Sequence, residues 1–183
     1  MTLIGLTGPA GAGKDTVAAI LAREYDFMRM SFASPIKDAL VALFGLDRAQ
    51  LTGAAKEATV DWIGKSPRQL MQTLGTEWGR QLVRDDLWIR HAERRLQYYH
   101  QISSRVVITD VRFENEAAWL RRRGGHLWHV LRNERAQVNP HASEGGVQFD
   151  AEAGDDIIDN NHGLEQLADE VRRALPGKTK GTA

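Results

Sequence analysis

The sequence contains no cysteine among its 183 residues. This absence excludes a disulfide framework, a thiolate metal site and a cysteine nucleophile. No stretch approaches the 18 consecutive apolar residues that a membrane helix needs, and the first six residues lack the basic segment of a secretory signal. We therefore expect a cytoplasmic protein with no membrane partner.

Neither sign of charge is in excess, because lysine plus arginine and aspartate plus glutamate both number 24. No global positive field exists to hold a nucleic-acid backbone, so nucleic acid is not an expected partner. With 42% hydrophobic and 26% charged residues, the composition excludes a disordered or collagen-like chain. The length fits a single domain, and binding must come from a local site.

Short apolar segments predict a parallel sheet. Leu3–Thr7 is almost wholly apolar and is bounded by glycines, the pattern of a strand buried on both faces. Helical patterns separate it from four further predicted strands, so right-handed crossovers and a layered α/β fold with five parallel strands are expected. The further strands are Phe27–Phe32, Arg105–Asp110, Leu127–Leu131 and Asp156–Asp159.

Six helices are predicted from amphipathic spacing and capping signals. Ser66 is followed by Pro67 and a capping-box Gln69, so a helix starts there, and Leu70, Leu74 and Trp78 follow at helical spacing on its buried face. The tryptophans, Trp62 and Trp88 among them, are expected in the core. The other helices are predicted at about Lys14–Tyr25, Ser34–Phe44, Asp86–Tyr99, Glu114–Arg123 and Gly163–Leu175.

Two stretches exceed what the sheet and its crossovers require. Residues 32 to about 101 are too long for one crossover helix and are predicted to form a helical insert. Residues 132–154 are polar and glycine-bearing, which is typical of a mobile flap. Residues 177–183 are expected to form a flexible tail.

The segment Gly8–Lys14 matches the phosphate-loop pattern G-x-x-x-x-G-K. It starts where a buried strand ends and finishes where an amphipathic helix begins, so its backbone amides can surround an anion. We predict that Gly8, Gly11, Ala12 and Gly13 wrap the phosphates and that Lys14 reaches the β and γ oxygens. The alternative is a glycine-rich structural turn.

Asp15 stands where the general motif has serine or threonine as a ligand of Mg²⁺. A carboxylate is also a good Mg²⁺ ligand, directly or through water. The alternative for Asp15 is a charge favoured by the helix dipole. Thr16 is predicted to donate to a phosphate.

Several segments together resemble the bacteriophage deoxynucleoside monophosphate kinases, within the P-loop nucleoside monophosphate kinase group. The resemblance covers nearly the whole chain, and the order and spacing of the segments carry it. In that family an aspartate after the loop lysine is usual. The segments are Gly13–Thr16, Phe32–Lys37, Arg68–Glu77, Trp78–Arg80, Thr109–Glu116, His141–Glu144 and Ile158–Asn161.

The resemblance implies one P-loop kinase domain over residues 1–183, with a three-layer P-loop NTPase fold, an acceptor-binding insert and a lid. It implies transfer of the ATP γ-phosphoryl group to a deoxynucleoside 5′-monophosphate, with Mg²⁺, in a host cytoplasm if the chain is phage-encoded. The acceptor phosphate has a second pKa near 6, so it is already a dianionic nucleophile. Repulsion between two polyanions is the obstacle, which calls for Mg²⁺ and guanidinium groups. A homodimer is left open.

Four residues are candidates around the transferred group. Asp110 ends a strand at the ligand-binding edge of the sheet, where it could lie near Mg²⁺, orient the acceptor or cap the next helix. Arg112 could clamp the acceptor phosphate. For Arg132 and Arg135 the resemblance implies lid arginines that close over the phosphoryl group.

The acceptor and the adenine have candidates of their own. Lys37 and Arg68 lie near predicted helix starts, where an anion could be received, although a solvated surface charge is the alternative. Gln72, Glu77 and Arg80 could read the edge of a base, or they could belong to an ordinary amphipathic helix. By resemblance, Asn160 lies in a loop against the adenine of ATP.

Two other functions compete with this one. The first is a P-loop kinase for a non-nucleotide acceptor such as dephospho-coenzyme A, in which Asp110 would act as a base toward a hydroxyl. The second is a non-catalytic module that binds ATP to switch shape for a partner. The sequence of the insert argues against the first, and the long insert and polar flap argue against the second.

Overall fold

A computed structural model describes residues 2–132 and 146–176. The chain divides into two compact units. The first unit comprises Met1–Ser31 and Arg94–Ala183, and the second comprises Phe32–Glu93. The predicted insert of residues 32–101 starts at the same residue as the second unit and extends beyond its end.

The first unit contains five strands, β1 (Thr2–Thr7), β2 (Met28–Met30), β3 (Arg105–Ile108), β4 (His126–Leu131) and β5 (Asp156–Asp159). They form a parallel sheet in the order β2-β3-β1-β4-β5. The predicted sheet is confirmed. The edge strand β2 is shorter than predicted, because it pairs with β3 over three residues before the chain turns into the next helix.

Helices cover both faces of this sheet. Side chains alternate along β1, and Ile4 and Leu6 share a core with buried residues of α1 (Lys14–Tyr25) and α6 (Leu164–Ala174). On the other face, a Cβ added to Gly5 would meet Leu120 of α5 (Glu114–Arg122) at 2.6 Å. The predicted three-layer α/β fold is therefore confirmed.

The second unit is built from helices. It contains α2 (Ser34–Phe44), two 3₁₀ turns, α3 (Pro67–Gln72) and a π-helical segment, Thr73–Val83. The helix α4 (Leu87–Ile102) starts in this unit and continues into the first. The core of the second unit is a leucine cluster, Leu40, Leu46, Leu51 and Leu70. The 3₁₀ turns are Arg48–Leu51 and Gly53–Glu57.

The capping signals at Ser66 work as predicted. The Ser66 hydroxyl accepts a hydrogen bond from the Gln69 N–H at 3.3 Å, and the Gln69 side chain accepts one from the Ser66 N–H at 2.9 Å. Pro67 occupies the first position of α3, where its missing N–H costs nothing. These contacts fix where the helix begins.

The predicted burial of two tryptophans is wrong. Trp78 is 46% exposed, because the chain changes after Gln72 from an α-helix to a π-helix, whose i→i+5 bonds put more residues in each turn and carry Trp78 off the buried face. Trp62 is 71% exposed in a turn between the bridged residues Val60 and Lys65, where its ring lies 6.1 Å from that of Phe44. Trp88 is buried as predicted.

Some sequence predictions fall outside the described residues. These are most of the predicted flap, residues 133–145, and the predicted tail, residues 177–183. Residues 146–154 contain neither helix nor strand. In the described part of the chain, no helix has the length and apolar character needed to cross a membrane.

Candidate active site

The phosphate loop, Gly8–Lys14, joins the end of β1 to the start of α1. Its glycines adopt positive φ angles, +129° at Gly8, +79° at Gly11 and +100° at Gly13. Residues other than glycine rarely adopt such φ angles, so the glycines at these positions allow the loop to curl. The helix that follows presents N–H groups and the positive end of its dipole to the loop, which favours an anion there.

Neighbouring strands hold the loop closely. A Cβ on Gly8 would lie 2.3 Å from the Val130 carbonyl oxygen of β4. A Cβ on Gly13 would lie 2.2 Å from the Asn160 Nδ2. That amide nitrogen donates to the Ala12 carbonyl oxygen at 2.8 Å. Asn160 thus supports the back of the loop, and its contact with adenine stays a prediction.

Lys14 folds over the loop that it closes. Its Nζ donates hydrogen bonds to the carbonyl oxygens of Gly8, at 2.6 Å, and Pro9, at 2.7 Å. The side chain is half-buried. A cation is therefore placed beside the curled backbone.

The two residues after Lys14 differ in exposure. The Asp15 side chain is 90% exposed, with a guanidinium nitrogen of Arg29 at 3.4 Å. Thr16 is half-buried in the first turn of α1, and its N–H donates to the Gly13 carbonyl oxygen at 2.9 Å. Asp15 is open to a ligand, and Thr16 lies in the turn that an anion would face.

Asp110 lies at the same edge of the sheet as the loop. The pairing of Gly5 with Ile108 places Asp110 level with Thr7, directly before the loop. The Ser31 hydroxyl, which follows β2, donates to the Asp110 carboxylate at 2.8 Å. Asp110 is thus held at the carboxyl edge of the sheet, where open α/β sheets bind ligands.

The carboxylates Asp15 and Asp110 fit Mg²⁺ by their chemistry. Mg²⁺ prefers oxygen ligands, and in phosphoryl-transfer sites one or two carboxylates share it with the phosphates. Within residues 2–132 and 146–176, no three His, Cys, Asp or Glu side chains gather to hold a metal. This donor set suits Mg²⁺ that is bound with a nucleotide.

Arg112 stands at a turn that a buried carboxylate fixes. Glu116, which is only 2% exposed, accepts hydrogen bonds from the N–H groups of Arg112 at 2.8 Å and Phe113 at 3.2 Å. Both bonds satisfy N–H groups at the start of α5. Glu116 was missed as a candidate, although it stands three residues after the N-cap residue Phe113, where a glutamate is a known capping signal.

The predicted lid arginines are only partly described. Arg132 is exposed and follows β4, the strand next to β1. Arg135, together with His141 and Glu144, lies outside the described residues. The role of both arginines stays a prediction.

Five predicted acceptor residues lie in the second unit, whereas Arg112 lies in the first. Arg68 donates to the Glu57 carboxylate at 2.7 Å. Arg80 is 6% exposed, and its Nη1 donates to the Asp85 carbonyl oxygen at 2.9 Å. Lys37 and Gln72 are half-buried, whereas Glu77 and its neighbour Trp78 are exposed. Glu77 therefore differs from Gln72 and Arg80 in being exposed.

The comparisons with known proteins decide the family. The family profile described as deoxynucleotide monophosphate kinase matches residues 46–171. A protein of Acanthamoeba polyphaga mimivirus with the provisional name deoxynucleotide monophosphate kinase is 33% identical, over 93% of this chain and 94% of its own. This chain belongs to the deoxynucleotide monophosphate kinase family.

Two phage members of the family are more distant. The deoxynucleotide monophosphate kinase of Enterobacteria phage T4 is 22% identical, over 96% of this chain and 99% of its own. The deoxynucleoside-5′-monophosphate kinase of Escherichia phage T5 is 28% identical, over 65% of this chain and 71% of its own. The resemblance found in the sequence is confirmed, and this chain is a phosphotransferase of that family with ATP as the implied donor.

This kinase contains a buried ionic network around Asp155 that the sequence did not predict. The Asp155 side chain is fully buried and accepts hydrogen bonds from Arg121 at 2.6 and 3.1 Å, from the Asp150 N–H at 3.0 Å and from Nε2 of His129 at 3.0 Å. Burial acts to raise the pKa of Asp155, but the hydrogen bonds outweigh it, so the pKa lies below its ordinary value. The hydrogen bond to Asp155 in turn raises the pKa of Arg121.

Proposed function

We propose that this kinase transfers the γ-phosphoryl group of ATP to a deoxynucleoside 5′-monophosphate, with Mg²⁺ as cofactor. The first unit binds ATP, and the second unit binds the acceptor. The curled loop closed by the Lys14 ammonium is the observation that supports this most directly. The reaction is proposed to take place in the cytoplasm, that of the host if the chain is phage-encoded.

The loop supplies the donor site. Amides of the loop and of the first turn of α1 are proposed to surround the β-phosphate. The Lys14 ammonium would exchange its two carbonyl partners for charged oxygens of the β- and γ-phosphates, with which its hydrogen bonds are stronger. Charge that develops between those phosphates during transfer is then stabilised by a cation already in place.

Carboxylates and hydroxyls complete the donor side. Asp15 and Asp110 would hold Mg²⁺, which neutralises phosphate charge when it is bound with ATP. Thr16 is proposed to donate to a phosphate oxygen. The hydrogen bond from Ser31 keeps the Asp110 carboxylate at the edge of the sheet.

Arginines provide the charge that brings two polyanions together. Arg112 is proposed to clamp the acceptor phosphate, with Arg132 and Arg135 over the transferring group. No strong base is required, since the acceptor phosphate is a dianion at neutral pH. In the second unit, Arg68 and Lys37 are proposed to bind the acceptor phosphate, which would compete with Glu57 for the Arg68 guanidinium.

Base recognition is proposed for the polar side chains Gln72, Glu77 and Arg80. A half-buried amide and a buried guanidinium can discriminate between bases, because a mismatched base leaves a buried polar group unpaired. The exposed Glu77 can contribute only where a ligand covers it. Asn160 is proposed to reach the adenine from behind the loop.

The test is a coupled assay of ADP release across an acceptor panel. The panel contains the four common deoxynucleoside monophosphates, the ribonucleotides and dephospho-coenzyme A, each with ATP and Mg²⁺. We expect ADP release that depends on a deoxynucleoside monophosphate. Release with dephospho-coenzyme A alone would replace this proposal with the hydroxyl kinase, and ATP binding without any release would favour the ATP-gated module.

A further inference from the structure

The π-helical segment Thr73–Val83 is long for its type. It runs for 11 residues, whereas π-helices occur mostly as single-turn bulges and often at functional sites. It follows α3 directly and shares the second unit with α2 and the start of α4. A long π-helix needs contacts that favour it over the ordinary α-helix.

Trp88, in the first turn of α4, supplies such contacts. Its indole N–H donates to the Gly75 carbonyl oxygen at 2.7 Å, in a buried hydrogen bond. Its ring lies so close to Gly79 that an added Cβ would come within 2.6 Å of a ring carbon. The indole therefore engages two glycines four residues apart and holds the middle of the segment.

A side chain at either glycine would force a neighbouring side chain to move. A Cβ added to Gly75 would lie 2.9 Å from Cδ1 of Ile36, at the end of that side chain. The segment thus packs against Ile36 of α2 and Trp88 of α4 through its two glycines, which have no side chains. Its position along its own axis is set by these contacts.

A polar row starts at Gln72, the last residue of α3, and continues into the segment at the residue after each glycine. Gln72, Thr76 and Arg80 are spaced four residues apart, and Thr76 and Arg80 are 7% and 6% exposed. Buried polar side chains are normally held by hydrogen bonds, and Arg80 Nη1 donates to the Asp85 carbonyl oxygen at 2.9 Å, so the direction of the Arg80 side chain depends on where the segment places it. A change in the helical register between Gly75 and Gly79 would turn Arg80 away from Gln72.

We propose that Trp88 is a positioning residue for the acceptor nucleotide. It sets the register of the π-helical segment and thereby aligns the row of Gln72, Thr76 and Arg80 toward the base. This inference rests on the proposed function of the second unit. Because Trp88 contacts the segment that carries Thr76 and Arg80, its effect is expected on the binding of the acceptor and not on the binding of ATP.

The test compares Trp88→Phe with Trp119→Phe. The first change keeps an aromatic ring and removes the N–H that bonds to Gly75, and the second removes another buried indole from α5 in the first unit. We expect the KM for the deoxynucleoside monophosphate to rise about five- to tenfold in Trp88→Phe, the effect of one lost buried hydrogen bond. The KM for ATP and kcat should stay within about twofold of the wild type.

A second variant keeps the inference testable if Trp88→Phe folds poorly. Gly79→Ala leaves Trp88 intact but places a methyl group against its ring, so it should also raise the KM for the acceptor and leave that for ATP unchanged. Hydrogen exchange in the free enzyme should show faster exchange of the amides of Thr73–Val83 in both variants.

The outcomes separate the two proposals. Equal rises in the KM for ATP and for the acceptor, or no rise beyond that of Trp119→Phe, would overturn the role of Trp88 while the proposed function stands. A wild-type enzyme that phosphorylates no deoxynucleotide would overturn the proposed function itself. In that case, unchanged exchange in the variants would also overturn the effect of Trp88 on the segment.

Discussion

At the scale of residues, the donor site depends on backbone geometry as much as on side chains. Gly8 and Gly13 combine positive φ angles with neighbours closer than a Cβ allows, so each is restricted to glycine for two reasons. The sequence predicted these glycines from the loop pattern. It did not predict that Asn160 would be what excludes a side chain at Gly13, because that contact joins residues far apart in the chain.

Replacing Lys14 by alanine tests the loop at this scale. Lys14→Ala should lower kcat by about a hundredfold or more, because a contact that strengthens in the transition state is removed. Steady-state rates with saturating ATP and acceptor measure the change. Lys65→Ala is the matched control, since Lys65 is exposed in the second unit, and it should leave the rate unchanged. Near-normal turnover in Lys14→Ala would show that the loop is not the donor site.

At the scale of elements, the Asp155 network joins parts of the first unit that are distant in sequence. Arg121 comes from α5, His129 from β4, and Asp155 directly precedes β5. Arg121 also donates to the Gln148 carbonyl oxygen at 3.3 Å, and the His129 ring meets Phe149 edge to face. The segment that returns to the sheet at residues 146–155 is therefore tied to a helix and a strand.

The lowered pKa of Asp155 gives a pH dependence with a definite sign. Because the folded-state pKa lies below the unfolded one, the carboxylate stabilises the fold fully above about pH 4 and progressively less as the pH falls through the folded pKa. Asp155→Asn should cost about 2 kcal/mol at pH 7, the scale of hydrogen bonds to a charged group. Urea unfolding of the wild type and of Asp155→Asn from pH 7 to pH 3 measures the difference in their free energies of unfolding. This difference should shrink at the acidic end.

An exposed ion pair provides the control for that experiment. Asp169 bonds to Arg172 on the surface of α6, where such a pair is worth little. Asp169→Asn should therefore change the free energy of unfolding by less than about 1 kcal/mol at any pH in the series. The proposed contribution of Asp155 would be contradicted if Asp155→Asn lost no more free energy of unfolding than Asp169→Asn, or if its loss did not depend on pH.

Most helices and strands could be predicted because their signals are local. The bounds of α1 and α2 follow from apolar spacing and from the glycines and proline near their ends, and the structure places them at the predicted residues. The π-helix could not be predicted in this way. Its register depends on Trp88 and Ile36, which lie outside the segment, and the burial of Trp78 was predicted wrongly for that reason.

At the scale of the whole molecule, the two units divide the proposed work. The first carries the phosphate loop with Asp15 and Asp110, and the second carries the acceptor candidates Lys37, Arg68 and Arg80. The family could be inferred from the sequence because its motifs are spread over both units. The bases that the enzyme accepts could not be inferred from the sequence, since the direction of Gln72, Thr76 and Arg80 depends on how the second unit packs.

The most direct test of the central claim follows the phosphoryl group itself. The kinase is incubated with ATP labelled at the γ-phosphate, Mg²⁺ and a deoxynucleoside monophosphate that is active in the panel, and the products are separated. The account predicts that the label appears in the terminal phosphate of the deoxynucleoside diphosphate, in a one-to-one ratio with ADP. Label found only in inorganic phosphate, or on a hydroxyl group of the acceptor, would contradict it.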